Sequence, residues 1–93
     1  MREKTIEQTL IKAVKSYGGI AVKLVSPGFA GMPDRLVLFP GGRLGFVEVK
    51  APGRKPRAIQ EVRHKQFRQL GFKVYVLDSK EQIGGVIDDI IKG

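Results

Sequence analysis

The chain contains no cysteine. Disulfide cross-links, thiolate zinc sites and cysteine nucleophiles are therefore excluded together, and any metal must be held by oxygen ligands or by the lone histidine, His64. Long apolar runs are missing as well. Nothing approaches the roughly 20 residues that a membrane-spanning helix needs, and the opening MREKTIEQ has no apolar core of a secretory signal. A cytoplasmic protein with no membrane partner is expected.

Acidic residues are scarce, 9 Asp plus Glu against 17 Lys plus Arg, for a net charge of +8. An excess of this size attracts phosphate backbones and releases their counterions, so nucleic acid is the favoured partner, although an anionic membrane surface would draw on the same charge. Hydrophobic residues make up 42% of the chain, too many for a disordered tail. A chain of 93 residues makes one domain, residues 1–93, which hides roughly 60 to 70 per cent of its unfolded surface.

Periodicity divides that domain into seven elements. Ile6, Leu10, Val14 and Tyr17 recur at helical spacing over Thr5 to Tyr17, and Gly18-Gly19 stops the helix. The run 20–25, IAVKLV, is short and rich in β-branched residues, so it reads as a strand ended by Ser26-Pro27-Gly28. Residues 36–39 and 44–49 are two more apolar runs, joined by Pro40-Gly41-Gly42 as a hairpin. Apolar side chains at nearly every position suggest strands covered by helices on both faces. After the cationic loop 51–57 (APGRKPR), a helix from Ala58 to Leu70 is expected, with Ile59, Val62 and Leu70 inward and Gly71 as its cap. A strand over 72–78 follows. Ser79 and Gln82 then open a last helix whose buried stripe is Ile83, Val86, Ile87, Ile90 and Ile91. The order α, β, β, β, α, β, α describes an α/β layer structure with a mixed central sheet flanked by helices.

One pair of charges breaks the apolar pattern. Glu48 and Lys50 lie two apart on a strand, so both point to one face, about 6.5 to 7 Å apart along the chain, among Leu44 and Phe46. A lone charge on a core strand is costly, so a partner must compensate it. Asp34 is that partner if the hairpin loop contains three residues, because Phe39 then faces Arg43 and Asp34 faces Glu48. A two-residue loop would instead set Asp34 against Val49, on the wrong side of the sheet. Pro40, a poor ladder residue, favours the longer loop. Two adjacent carboxylates repel unless a divalent cation sits between them, and oxygen ligands suit magnesium, with manganese able to substitute.

Gly31-Met32-Pro33-Asp34 followed by Val47-Glu48-Val49-Lys50 resembles the PD-(D/E)XK nuclease pattern and, more narrowly, the VRR-NUC family, over almost the whole chain. The resemblance implies a restriction-endonuclease-like core and a metal-dependent phosphodiesterase. In that reading Asp34, Glu48 and the backbone carbonyl of Val49 hold the Mg2+, and Lys50 activates or stabilises at the scissile phosphate. It also implies a catalytic Gln60 on the second helix and a Glu on the first, for which Glu7 is the matching position. Glu7 has the alternative of being a solvated helix residue. Small stand-alone members, found in phages and bacteria, resemble Holliday-junction resolvases that act as homodimers. No small-molecule cofactor is implied.

The cations around this constellation form the expected nucleic-acid surface: Arg35, Arg54, Lys55, Arg57 and Arg63. His64 shares a helix face with Gln60 and is expected as a surface residue or phosphate contact rather than a base. Phe29 either presses on a nucleic-acid strand or is buried in an ordinary turn. The leading expectation is a structure-specific DNA endonuclease. The competing ones are a non-catalytic or complex-dependent nucleic-acid-binding module that kept the nuclease fold, and a nuclease acting on RNA. Loss of Asp34, Glu48 or Lys50 would mark the binding module, and all three are present.

Overall fold

The computed structural model describes residues 1–93. Its elements are α1 (Glu3–Ser16), β1 (Ile20–Lys23), β2 (Arg35–Phe39), β3 (Arg43–Val49), α2 (Ala58–Gln69), β4 (Val74–Leu77) and α3 (Ile83–Lys92), the last preceded by a single 3-10 turn at Lys80–Gln82. The expected order holds, with boundaries moved by one to a few residues. The sheet runs β1-β2-β3-β4, with the first two pairings antiparallel and β3-β4 parallel.

The hairpin decides where the charges go. Phe39 pairs with Arg43 and Arg35 with Val47, so Pro40-Gly41-Gly42 is a three-residue loop. Gly41 and Gly42 both have φ near +80°, which only glycine adopts without a Cβ penalty. Continued by one residue, this register sets Asp34 opposite Glu48. The same register puts Val37, Phe39, Val47 and Val49 on the opposite face, where α1 and α3 pack. Ile6, Leu10 and Val14 of α1 and Ile83, Val86, Ile87 and Ile90 of α3 complete that core. Gly45 lies beneath Ile90 and Tyr75 at a separation that leaves no room for a Cβ.

Cover on the second face is only partial. Helix α2 lies over β3 and β4, where Phe67 meets the Phe46 ring at 4.9 Å and Arg68 donates to the Val74 carbonyl at 2.8 Å. Over β1 and β2 the same face is largely bare: Ile20 is 64% and Val22 38% exposed, beside half-buried Leu36, Leu38 and Leu44. The expectation of helices over both faces therefore fails for half of one face, because one 12-residue helix is too narrow to cover four strands.

The inward face of α2 is also corrected. Ile59, Val62 and Leu70 are exposed, and Gln60 and His64 are the buried residues of the helix. The polar residues point in because the strand beneath them carries Glu48. A buried carboxylate needs donors more than it needs apolar cover.

Candidate active site

Glu48 is 1% exposed, on the central strand beneath α2. Its Oε2 accepts a hydrogen bond from Gln60 Nε2 at 3.0 Å and lies 3.4 Å from Lys50 Nζ. Burial, and then the neighbouring Asp34 carboxylate, push its pKa up to about 7, with Lys50 pulling the other way. The orientation of Gln60 is settled by its own helix. Its Oε1 accepts from the Arg57 backbone N–H at 2.8 Å, which closes the first turn of α2 and leaves the amide nitrogen for Glu48.

Asp34 enters from the end of β2, behind a fully buried Pro33. Its Oδ2 accepts from the Val49 backbone N–H at 2.7 Å, and its carbonyl accepts from Leu24 N–H at 2.9 Å. A strand residue sends its N–H and C=O to the same edge, so the Val49 carbonyl also leaves β3 on the Asp34 side. Lys50 N–H turns to the other edge and donates to Leu77 at 2.8 Å. Asp34, Glu48, Lys50, Gln60 and the Val49 backbone thus converge, as expected from the sequence.

The loop ahead of Asp34 is fastened to α2. Arg63 lies over the Phe29 ring at 3.7 Å and its Nε donates to the Ala30 carbonyl at 2.9 Å. Gly31, at φ +85°, passes so close to the Ile59 carbonyl that a Cβ there would sit 2.5 Å from its oxygen. Arg63 and Phe29 therefore position the Pro33-Asp34 turn, rather than standing free for a phosphate.

Other expected residues lie elsewhere. Glu7 Oε2 pairs with Arg35 Nε at 2.8 Å, and Arg35 also donates to the Ala21 carbonyl at 3.1 Å, on the sheet face that α1 covers. These two charges compensate each other, and no three His, Asp or Glu side chains gather into one cluster. The surface reading of His64 is overturned: it is 2% exposed, with Nε2 3.4 Å from Glu48 Oε1. Burial, and then the charge of Arg68, lower its pKa. Arg54, Lys55 and Arg57 are exposed and, with Lys50 and Glu3, line an open cleft of about 420 Å³. Glu3 was not anticipated. Its signal is its spacing of one helical turn before Glu7.

A solved structure of a VRR_NUC domain superposes with a TM-score of 0.87 at 34% identity, over 92% of this chain and 94% of its own. In sequence, "Putative nuclease p44" of Acyrthosiphon pisum secondary endosymbiont phage 1 is 51% identical over 81 residues, 87% of each chain. The chain belongs to the VRR-NUC nuclease family. No family model matches it. In VRR-NUC terms the site is a pair of carboxylates, a lysine and a glutamine at the junction of the inner strands β2 and β3 of a four-stranded sheet, beside a cationic loop.

The residues fit a divalent cation. The donors are hard oxygens, and a cation held by Glu48 and Asp34 would offset both the burial and, after it, the Asp34 repulsion that raise the Glu48 pKa.

Proposed function

We propose that this VRR-NUC chain is a Mg2+-dependent, structure-specific DNA endonuclease of the Holliday-junction-resolvase type, acting as a homodimer in the cytoplasm of a bacterial or phage-infected cell. One observation carries the reading: Asp34 and Glu48 lie side by side, with Lys50 and Gln60 turned onto the same carboxylate. Asp34, Glu48 and the Val49 carbonyl would hold Mg2+, with Mn2+ able to substitute. When bound, the ion supplies charge for a phosphate oxygen and lowers the pKa of an attacking water.

The protein's own groups do the rest. Lys50 Nζ brings a positive charge to the scissile phosphate. Gln60 keeps Glu48 oriented. Arg54, Lys55 and Arg57, at the mouth of the Lys50 cleft, grip the backbone on either side. Glu7 joins the metal set only by leaving Arg35, so it ranks behind Asp34 and Glu48.

Support for the dimer comes from the bare apolar half-face of Ile20, Val22, Leu36, Leu38 and Leu44, on the same side of the sheet as Glu48. The stripe of α3 offers little, since Ile83, Val86, Ile87 and Ile90 are buried in the chain's own core. Two-fold pairing suits a junction, which needs two symmetric cuts.

The test is incubation with labelled four-way junction, flap, single-stranded and duplex DNA and matched RNA, in Mg2+, Mn2+ or chelator, alongside Glu48→Ala and Lys50→Ala. Symmetric, metal-dependent cuts confined to the junction and lost in both variants are expected. Binding without cutting in any metal, unchanged by either substitution, would replace the enzyme with a nucleic-acid-binding module, and preferential cutting of RNA would change the substrate class.

A further inference from the structure

Two buried side-chain atoms in the molecule have no hydrogen-bond partner, Glu48 Oε1 and His64 Nε2, and they face each other at 3.4 Å. Isolated orphans are costly, but two that face each other, one an acceptor, are a hydrogen bond waiting for a small closure. An imidazole in either charge state can present an N–H on Nε2, and opposite a carboxylate oxygen that is where the hydrogen belongs.

His64 lies one helical turn after Gln60, so both point into the sheet from the same face of α2. Gln60 holds Oε2 and His64 faces Oε1. The terminal torsion of a glutamate is soft and roughly two-fold, so contacts on Oε2 alone would let the carboxylate plane swing. Oε2 already faces both Gln60 and Lys50; a donor on Oε1 as well fixes the plane, and Oε1 keeps a second lone pair for another ligand.

We propose that His64 is a positioning residue, whose Nε2–H sets the plane of the Glu48 carboxylate for the divalent cation. The inference rests on the metal-dependent reading above. An apolar residue at position 64 would fill the space and leave Oε1 buried without a donor, so the function lies in the N–H rather than in the packing.

The experiment is Mn2+ titration of the nucleic-acid-free full chain, followed by the electron paramagnetic resonance of the free ion, for wild type, His64→Leu, His64→Gln and Glu48→Ala. Glutamine returns an N–H near the place of Nε2. His64→Leu is expected to weaken Mn2+ binding roughly tenfold to a hundredfold, and His64→Gln to restore it to within a few-fold of wild type. DNA cutting by His64→Leu should recover at saturating Mn2+. If His64→Leu does not fold, His64→Asn replaces it, since its amide reaches the place of Nδ1 but not that of Nε2.

A folded His64→Leu or His64→Asn with wild-type Mn2+ affinity overturns the proposal. So does a His64→Gln as weak as His64→Leu, because shape rather than the donor would then matter. Absence of Mn2+ binding by the wild-type chain overturns the metal reading itself together with this inference. Binding that Glu48→Ala abolishes and His64→Leu leaves intact removes this inference alone.

Discussion

Gln60 touches Glu48 with one end of the same amide that closes its own helix with the other: Nε2 to Glu48 Oε2 at 3.0 Å, Oε1 to Arg57 N–H at 2.8 Å. A local capping bond thereby orients a residue 12 positions away in sequence. Both halves follow from a glutamine at the third position of α2. A glutamate would cap the helix equally well but set a second carboxylate against Glu48.

Gln60→Glu is therefore expected to keep α2 folded and to reduce cutting at least a hundredfold, with weaker metal binding, because like charges in a buried site disfavour ionisation. Gln60→Ala should cost about 1 to 2 kcal/mol of stability through the lost cap, with a smaller loss of rate. Single-turnover cutting and urea melts separate the two. A Gln60→Glu as active as wild type would remove Gln60 from the site.

Glu48 makes the metal-free protein sensitive to pH. Its pKa in the folded chain, about 7, exceeds the ordinary 4.5, so between these values the folded state binds more protons than the unfolded one. Stability of the chelator-treated protein should fall as pH rises from 4.5 to 7, by on the order of 1 to 3 kcal/mol. Glu48→Gln should flatten that profile, and added Mg2+ should restore stability at pH 8. Denaturant midpoints across pH with and without Mg2+ provide the check.

The loop before Asp34 depends on Gly31. Gly31→Ala places a Cβ 2.5 Å from the Ile59 carbonyl at a φ of +85°, so either the loop or α2 must move. The expected result is a loss of about 2 to 4 kcal/mol and a cutting defect larger than the stability loss explains. Arg63→Ala, which leaves the backbone unstrained, should reduce cutting less. Equal activity of wild type and Gly31→Ala would show that Asp34 does not need this anchorage.

The bare half of the sheet predicts association. Light scattering should give twice the chain mass of 10.3 kDa at micromolar concentration. Ile20→Lys or Val22→Glu should halve it, since a charge on a buried apolar face is costly to desolvate. Metal binding should persist in these variants. A wild-type monomer at working concentration would end the dimer reading.

Legibility differed from element to element. Helix α1 and strands β2 and β3 were readable because their side chains repeat at 3.6 or 2 and the turn Pro40-Gly41-Gly42 states its own backbone geometry. Of the two loop lengths compatible with the sequence, the three-residue one that Pro40 favours is observed, and its register puts Asp34 opposite Glu48. For α2 the same periodicity misled. Ile59, Val62 and Leu70 fit an apolar stripe, but Gln60 and His64 turn inward because a carboxylate waits beneath them.

The sequence by itself determined the order of elements and favoured the three-residue loop, because each depends on neighbours within a few positions. Only the tertiary structure decided which polar groups pair. Arg35 is a neighbour of Asp34 in the chain, yet strand alternation sends it to the other face and to Glu7. His64 looks like one more polar residue on a helix until burial sets its Nε2 against Glu48. Pairing of that kind is settled by the energy of leaving a charge or a donor alone in the interior, a quantity that exists only once the layers have closed.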